Sequence, residues 1–243
     1  MSFQERLLSL MDRKDHWAFP HFTRPGLNRA QHLAHFRAEY SVYVRDFPVL
    51  LARALGQVPD LLDIRRALAE NIYEEQTGGL SKSAPPPELF LEMMAGMGYE
   101  RSSFADGSAV LPDAALAYRK FLLEKSAAGP WQAAVALLTI FVEGSVNERA
   151  ELAGTFVRKT GEDAVANHPL VVHYSCPKGA MRLARAHGEV EGGHRKDAWR
   201  MVLGSTNGDA GAEAAVIATC DEALPRWLAY RDAVAEAMGL SRP

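Results

Sequence analysis

The chain has 243 residues, a formal net charge of −3 and 48% hydrophobic content, enough to bury one sizeable core and with no basic excess to argue for nucleic acid. No run of about 18 apolar residues exists to span a membrane, and residues 1–13 are amphipathic and charged, without the apolar core and small-residue cleavage site of a secretory leader. Two cysteines, Cys176 and Cys220, build no disulfide framework, so the expectation is a soluble cytoplasmic protein from a reducing compartment.

Helical periodicity dominates the chain, and strand-like alternation is nearly absent. Residues 3–11 form a short amphipathic helix. Residues 15–26 are irregular, with Pro20 and Pro25 as breakers. Asn28 caps the next helix, which runs to about residue 55 on Leu33, Phe36, Tyr40, Tyr43, Val44, Phe47 and Leu51; Pro48 is expected to kink it. Pro59 opens a helix to about residue 76. Residues 78–87 form a loop ending in three prolines. A helix follows over 88–97 with Gly98 as its C-cap. Residues 99–111 connect to a helix over 112–125. Gly129-Pro130 opens a long helix to about residue 159, and 160–173 is irregular. Pro177 begins a helix ending near Gly204. Residues 205–210 turn the chain into a last helix over 212–238, kinked or broken near Pro225. Seven or eight helices with short connections and no linker give a single all-α bundle over residues 1–243.

Within the penultimate helix, His187, Glu191 and His194 are spaced i, i+4, i+7. At about 100° per residue, Glu191 lies about 40° to one side of His187 and His194 about 20° to the other, so all three stack on one stripe. Imidazole nitrogen with carboxylate oxygen suits iron, manganese or zinc, and Glu191-x-x-His194 is the element by which helical bundles bind two irons. A helix rich in His, Glu and Gly is also what a solvated face looks like, and spacing alone leaves both readings open.

Other helices supply candidate partners. Glu143 closes an almost unbroken apolar run over residues 133–142. A helix apolar all round is buried, and a carboxylate at its end needs a cation, a metal or solvent. Glu74 and Glu75 end the third long helix; adjacent residues point about 100° apart, so at most one faces the core. His16, His21, Arg37, Tyr40, Tyr43, His168 and His173 complete the polar and aromatic set. Each of these also reads as an ordinary surface or core residue. Trp131, Trp227 and Cys176 read most simply as core.

Taken together, these stretches resemble the haem-oxygenase-like superfamily over nearly the whole chain. The nearest likeness is to its diiron oxidases and oxygenases, with pyrroloquinoline-quinone synthase and thiaminase-II (TenA-type) proteins as relatives. Asp15-His16 through Pro20-His21-Phe22, Leu27-Asn28-Arg29-Ala30-Gln31, Asn71-Ile72-Tyr73-Glu74-Glu75, Glu88-Leu89-Phe90 and Pro130-Trp131-Gln132-Ala133-Ala134-Val135 carry it. The specific element is His187-x3-Glu191-x2-His194, which matches the oxidase pattern His-x3-Asp/Glu-x2-His.

The resemblance implies a metal site held by Glu75 (Glu74 being the competing choice), Glu143, His187, Glu191 and His194. The sixth ligand of the pattern, a histidine just before Glu-Leu-Phe, falls where this chain reads Pro85-Pro86-Pro87-Glu88. One iron site is therefore complete in pattern and a second is one histidine short, giving one or two iron ions. The implied function is an iron-dependent oxidase or oxygenase using O2 on a small molecule, as a homodimer. His21, Arg37, Tyr40 and Tyr43 are assigned to the catalytic pocket, Arg37 as a bidentate clamp for a substrate carboxylate. Two alternatives share the fold: a metal-free oxidase like the quinone synthase, working by proton transfer from His, Arg and Tyr, and a non-enzymatic binding protein.

Overall fold

A computed structural model describes residues 1–105, 110–157, 159 and 161–242, and for residues 188–194 the backbone alone. Among the described residues there is no strand. The fold is all-α, as the helical periodicity predicts. Its helices are α1 Phe3–Asp12, α2 Arg29–Glu39, α3 Phe47–Leu55, α4 Leu62–Thr77, α5 Pro86–Gly96, α6 Asp113–Lys125, α7 Trp131–Ala136, α8 Glu148–Leu152, α9 Gly161–Ala166, α10 Pro169–Tyr174, α11 Arg182–Thr206 and α12 Ala210–Ala237. None of the helices described is long and apolar enough to cross a membrane.

Local chemistry sets many of the boundaries. Ser2 and Asp209 accept backbone N–H groups at the starts of α1 and α12. Asn28 and Gln31 form a reciprocal capping box at α2. Gly78 ends α4 in the left-handed region at φ 66°, which glycine enters without a Cβ penalty.

Periodicity joined segments that the structure divides. The expected helix over 28–55 is α2, a π-helical turn at Tyr40–Val44 and then α3. Arg45 N–H reaches the Tyr40 carbonyl, five residues back, at 2.9 Å. Pro48 falls in the first turn of α3, where its missing N–H costs nothing, so it starts a helix and does not kink one. The expected helix from 130 to 159 stops early, passing from α7 into a second π-helical turn, Leu137–Val142, with α8 separate from it. The stretch 160–173, expected to be irregular, holds α9 and α10. Pro225 lies inside an unbroken α12. Its neighbours Leu224, Trp227 and Tyr230 are all buried, and their packing outweighs the lost backbone bond.

Helix α12 is the spine, lying against α6, α7, α1 and α2, while α11 lies against α5, α7 and the second π turn. The main core joins α1, α3, α6, α7 and α12. A second cluster, around Phe36, Leu89, Phe90, Met94 and Met181, sits under α2, α5 and α11. Between these two regions the bundle opens into a cavity.

Candidate functional site

The cavity has a volume of about 550 Å³. Both π turns border it. Glu39, Tyr43 and Val44 reach it from the first, and Val142 and Glu143 from the second. Such widened turns add a residue to a helix and re-aim side chains, often at functional sites.

Of the residues expected to bind metal, Glu75 on α4, Glu143 after the second π turn and His187 on α11 line this one cavity. Glu74 does not: it is buried, and its Oε2 accepts the N–H groups of Leu80 (2.7 Å) and Ser81 (3.0 Å), pinning the loop after α4. The α4 pair thus divides its labour, one carboxylate holding backbone and the other facing the cavity. Glu191 and His194 lie on the helical backbone of α11, but their side chains fall outside the described residues. Pro86, at the place where the sequence resemblance looks for a histidine, forms part of the cavity wall.

Glu143 is largely buried, with its side chain 18% exposed. Asn71, one turn before Glu75 on α4, donates to its Oε1 at 3.0 Å, and Arg195 Nη1 stands 3.7 Å from its Oε2. Two carboxylates and an imidazole from three separate segments are oxygen and nitrogen donors of the kind that suits iron. Among the described residues alone, no three His, Cys, Asp or Glu side chains form a metal-holding group.

The catalytic set expected from sequence scatters. Tyr43 lines the cavity, and burial pushes its phenol up to about 12. Arg37 donates instead to the Ser103 carbonyl at 2.6 Å. Tyr40 is buried against Phe90 and Phe104, away from the cavity. His21 ends a 3-10 turn beside Trp17. None of these three lines the cavity. His16 is buried with Nε2 on Asp232 at 3.1 Å, and His168 caps α10. Cys176 and Cys220 are buried and free, and burial raises both thiols, Cys220 to about 12.

Sequence reasoning missed an inner ring of paired charges. Glu39 accepts from Tyr230 at 3.0 Å and from Arg231. Burial opposes its ionisation, but Arg231, His35 and the Tyr230 hydroxyl together outweigh this and hold the carboxyl below the usual range. Arg195 forks onto Glu148 at 3.0 and 2.7 Å and also reaches the Thr139 carbonyl, while Trp199 Nε1 donates to Glu148 at 2.7 Å. Lys14, 4% exposed, donates to the carbonyls of Phe141 (2.5 Å) and Gly144 (2.6 Å), over the rings of Phe141 and Trp227. Burial, with Arg231 and Arg195 nearby, lowers its ammonium to about 7.

Comparison with known proteins agrees with this architecture. Residues 34–227 match the profile of a family described as iron-containing redox enzymes. A TenA homolog from Pseudomonas syringae pv. tomato str. DC3000 superimposes with a TM-score of 0.70 at 13% sequence identity, covering 97% of this chain and 93% of that one. At that identity the likeness is one of fold. No curated protein matches the sequence.

Proposed function

The chain belongs to the iron-containing redox enzymes of the haem-oxygenase-like superfamily, and on that premise we propose that it is an iron-dependent oxidase or oxygenase using O2 on a small molecule. The observation that carries the reading is that Glu75 on α4, Glu143 after the second π turn and His187 on α11 line one cavity. Glu191 and His194, on the stripe with His187, complete the donor set in this proposal. Bound iron would supply the O2 chemistry that no side chain performs.

The chain's own residues have definite tasks around that centre. Asn71 fixes the orientation of the Glu143 carboxylate through Oε1. The apolar walls, Val44, Phe47, Leu183 and Trp227 among them, keep bulk water from the reacting atoms. The raised Tyr43 phenol keeps its proton at neutral pH and offers a hydrogen-bond donor inside the cavity. Glu39, anchored by Arg231, stays a carboxylate and accepts protons only under strong demand. With Pro86 in the wall, the donor set is one histidine short of a two-iron set, so one ion is held firmly and a second weakly in this proposal. The homodimer and the cytoplasmic setting belong to the same proposal.

Anaerobic ferrous loading followed by metal analysis tests it. About one to two irons per chain are expected, with loss of iron in His187→Ala and His194→Ala at unchanged helical content. No bound iron after loading would sink the proposal. Pro86 in the wall favours one second reading, a metal-free O2-dependent oxidase on the same fold. Its signature is O2 consumption with substrate by protein that takes up no iron.

A further inference from the structure

Three cations besides the imidazole line the cavity: Arg195, Arg231 and Lys14. Two are neutralised, Arg195 by the Glu148 carboxylate and Arg231 by Glu39. Lys14 is different. It is buried, it donates to two carbonyl oxygens, and no carboxylate of the described residues stands within ion-pair distance of it. The ammonium form, which burial leaves in balance with the neutral amine near pH 7, has three N–H donors, so in that form one is left over. Capping the carbonyls of Phe141 and Gly144 accounts for two of the three hydrogens, and a water molecule or a neutral donor would serve those oxygens without the cost of burying a charge. The rings of Phe141 and Trp227 also face this ammonium, but neither the rings nor the two carbonyls supply a counter-charge on the cavity wall.

We propose that Lys14 is the specificity-determining residue of this cavity, recognising the carboxylate of a monoanionic organic acid through its third N–H. The acid's apolar body lies along Phe47, Val44 and Leu183, which line the same cavity. A charge-assisted hydrogen bond in a water-poor site is short and strong, and the incoming carboxylate neutralises the ammonium that, unlike Arg195 and Arg231 in the same cavity lining, has no acidic partner among the described residues. A dianion would leave one charge unpaired in the cavity, and a neutral analogue would leave Lys14 as it stands, so the site selects a single negative charge on an apolar body. The inference rests on reading this cavity as the substrate site.

Calorimetric titration of the full-length protein with 4-phenylbutyrate and with its neutral isostere 4-phenylbutanamide tests the proposal without any appeal to turnover. The acid is expected to bind at least ten-fold more tightly than the amide. Lys14→Met and Lys14→Gln are expected to abolish that preference, and Lys14→Arg to retain it. Lys14→Gln keeps a donor for the carbonyls, so it guards against a folding failure in Lys14→Met, and circular dichroism of each variant checks the fold. Equal affinities for acid and amide in the wild type, no binding of either, or a preference that survives in Lys14→Gln would overturn the proposal. Repeating the titration on iron-free protein separates the two readings. Acid selectivity that persists in protein unable to load iron upholds Lys14 while the iron assignment fails; iron loading without acid selectivity does the reverse.

Discussion

Asn71 Nδ2 lies 3.0 Å from Glu143 Oε1, and this bond ties α4 to the residue that follows the second π turn. The two residues are 72 apart in sequence, and the bond sets the orientation of a carboxylate proposed to bind iron. Replacing Asn71 by Leu removes the donor while filling the space. A hydrogen bond to a charged acceptor is worth about 1.5–3 kcal/mol, so a loss of about 2 kcal/mol in denaturant unfolding is expected. Loss of such an orienting partner typically lowers metal affinity about 10–100-fold. Competition against a ferrous chelator measures the second effect independently of the first.

The division of labour between Glu74 and Glu75 predicts opposite phenotypes for neighbouring substitutions. Glu75→Gln is expected to lower iron stoichiometry while leaving the melting temperature within a few degrees of wild type. Glu74→Ala removes the acceptor for Leu80 and Ser81 N–H, costing about 1–3 kcal/mol and loosening the loop, with iron loading retained. Metal analysis and thermal melts on the two proteins check both halves; if Glu74→Ala loses iron and Glu75→Gln keeps it, the assignment on α4 is reversed.

Acid stability should report His35. This ring is buried, stacked on Phe22 at 4.7 Å, and burial lowers its pKa to about 4. Between about pH 6.5 and 4 the unfolded chain binds a proton that the folded chain refuses. The His35 contribution is therefore fully present above about pH 6.5 and is lost as the pH falls toward 4, amounting to ~3 kcal/mol. His35→Phe preserves the stack and removes the proton site. Urea unfolding across this range should show a shallower fall for the variant than for the wild type; parallel curves would show that His35 is not the group responsible.

Gly144 is fixed by contact. A Cβ there would collide with the Ile140 carbonyl and press on Met11 Cε and Arg195 Nη2. Gly144→Ala is expected to destabilise the fold by about 2–3 kcal/mol and to weaken the neighbouring Lys14 and Glu143 contacts. Thermal unfolding measures the first effect, and the acid-over-amide preference in calorimetry measures the second.

The helical class was legible because apolar spacing is a local pattern. Glu75, Glu143 and His187 came from the family resemblance, since their spacing alone also fits ordinary surface or ion-paired residues; the structure places all three on the lining of one cavity. The helix breaks at Tyr40–Val44 and Leu137–Val142 were not legible, because a π turn keeps helical composition and periodicity while shifting the hydrogen bonds by one residue. Lys14, Glu39, Arg195 and Arg231 escaped for a different reason. A charged residue on an amphipathic helix looks solvated until its partner is known, and these partners lie far along the chain: Glu39 and Arg231 are 192 residues apart. Arg37 and Tyr40 were misplaced for a related reason. The α2 face they occupy turns toward Ser103, Phe90 and Phe104, and Glu39 and Tyr43 take the cavity side.

The carbonyls over residues 139–144 are closed from opposite ends of the chain, by Lys14, 127 and 130 residues away, and by Arg195, 56 residues from Thr139. Closing loops of that length costs entropy that is recovered only once most of the bundle has assembled. Such contacts are expected to form after the folding barrier is crossed, so weakening them quickens unfolding and leaves the folding rate nearly unchanged. In a cell this becomes a matter of durability. The lifetime of a competent molecule is set by how long one wall of its cavity stays fastened before a protease meets it open, more than by the strength of the bundle as a whole.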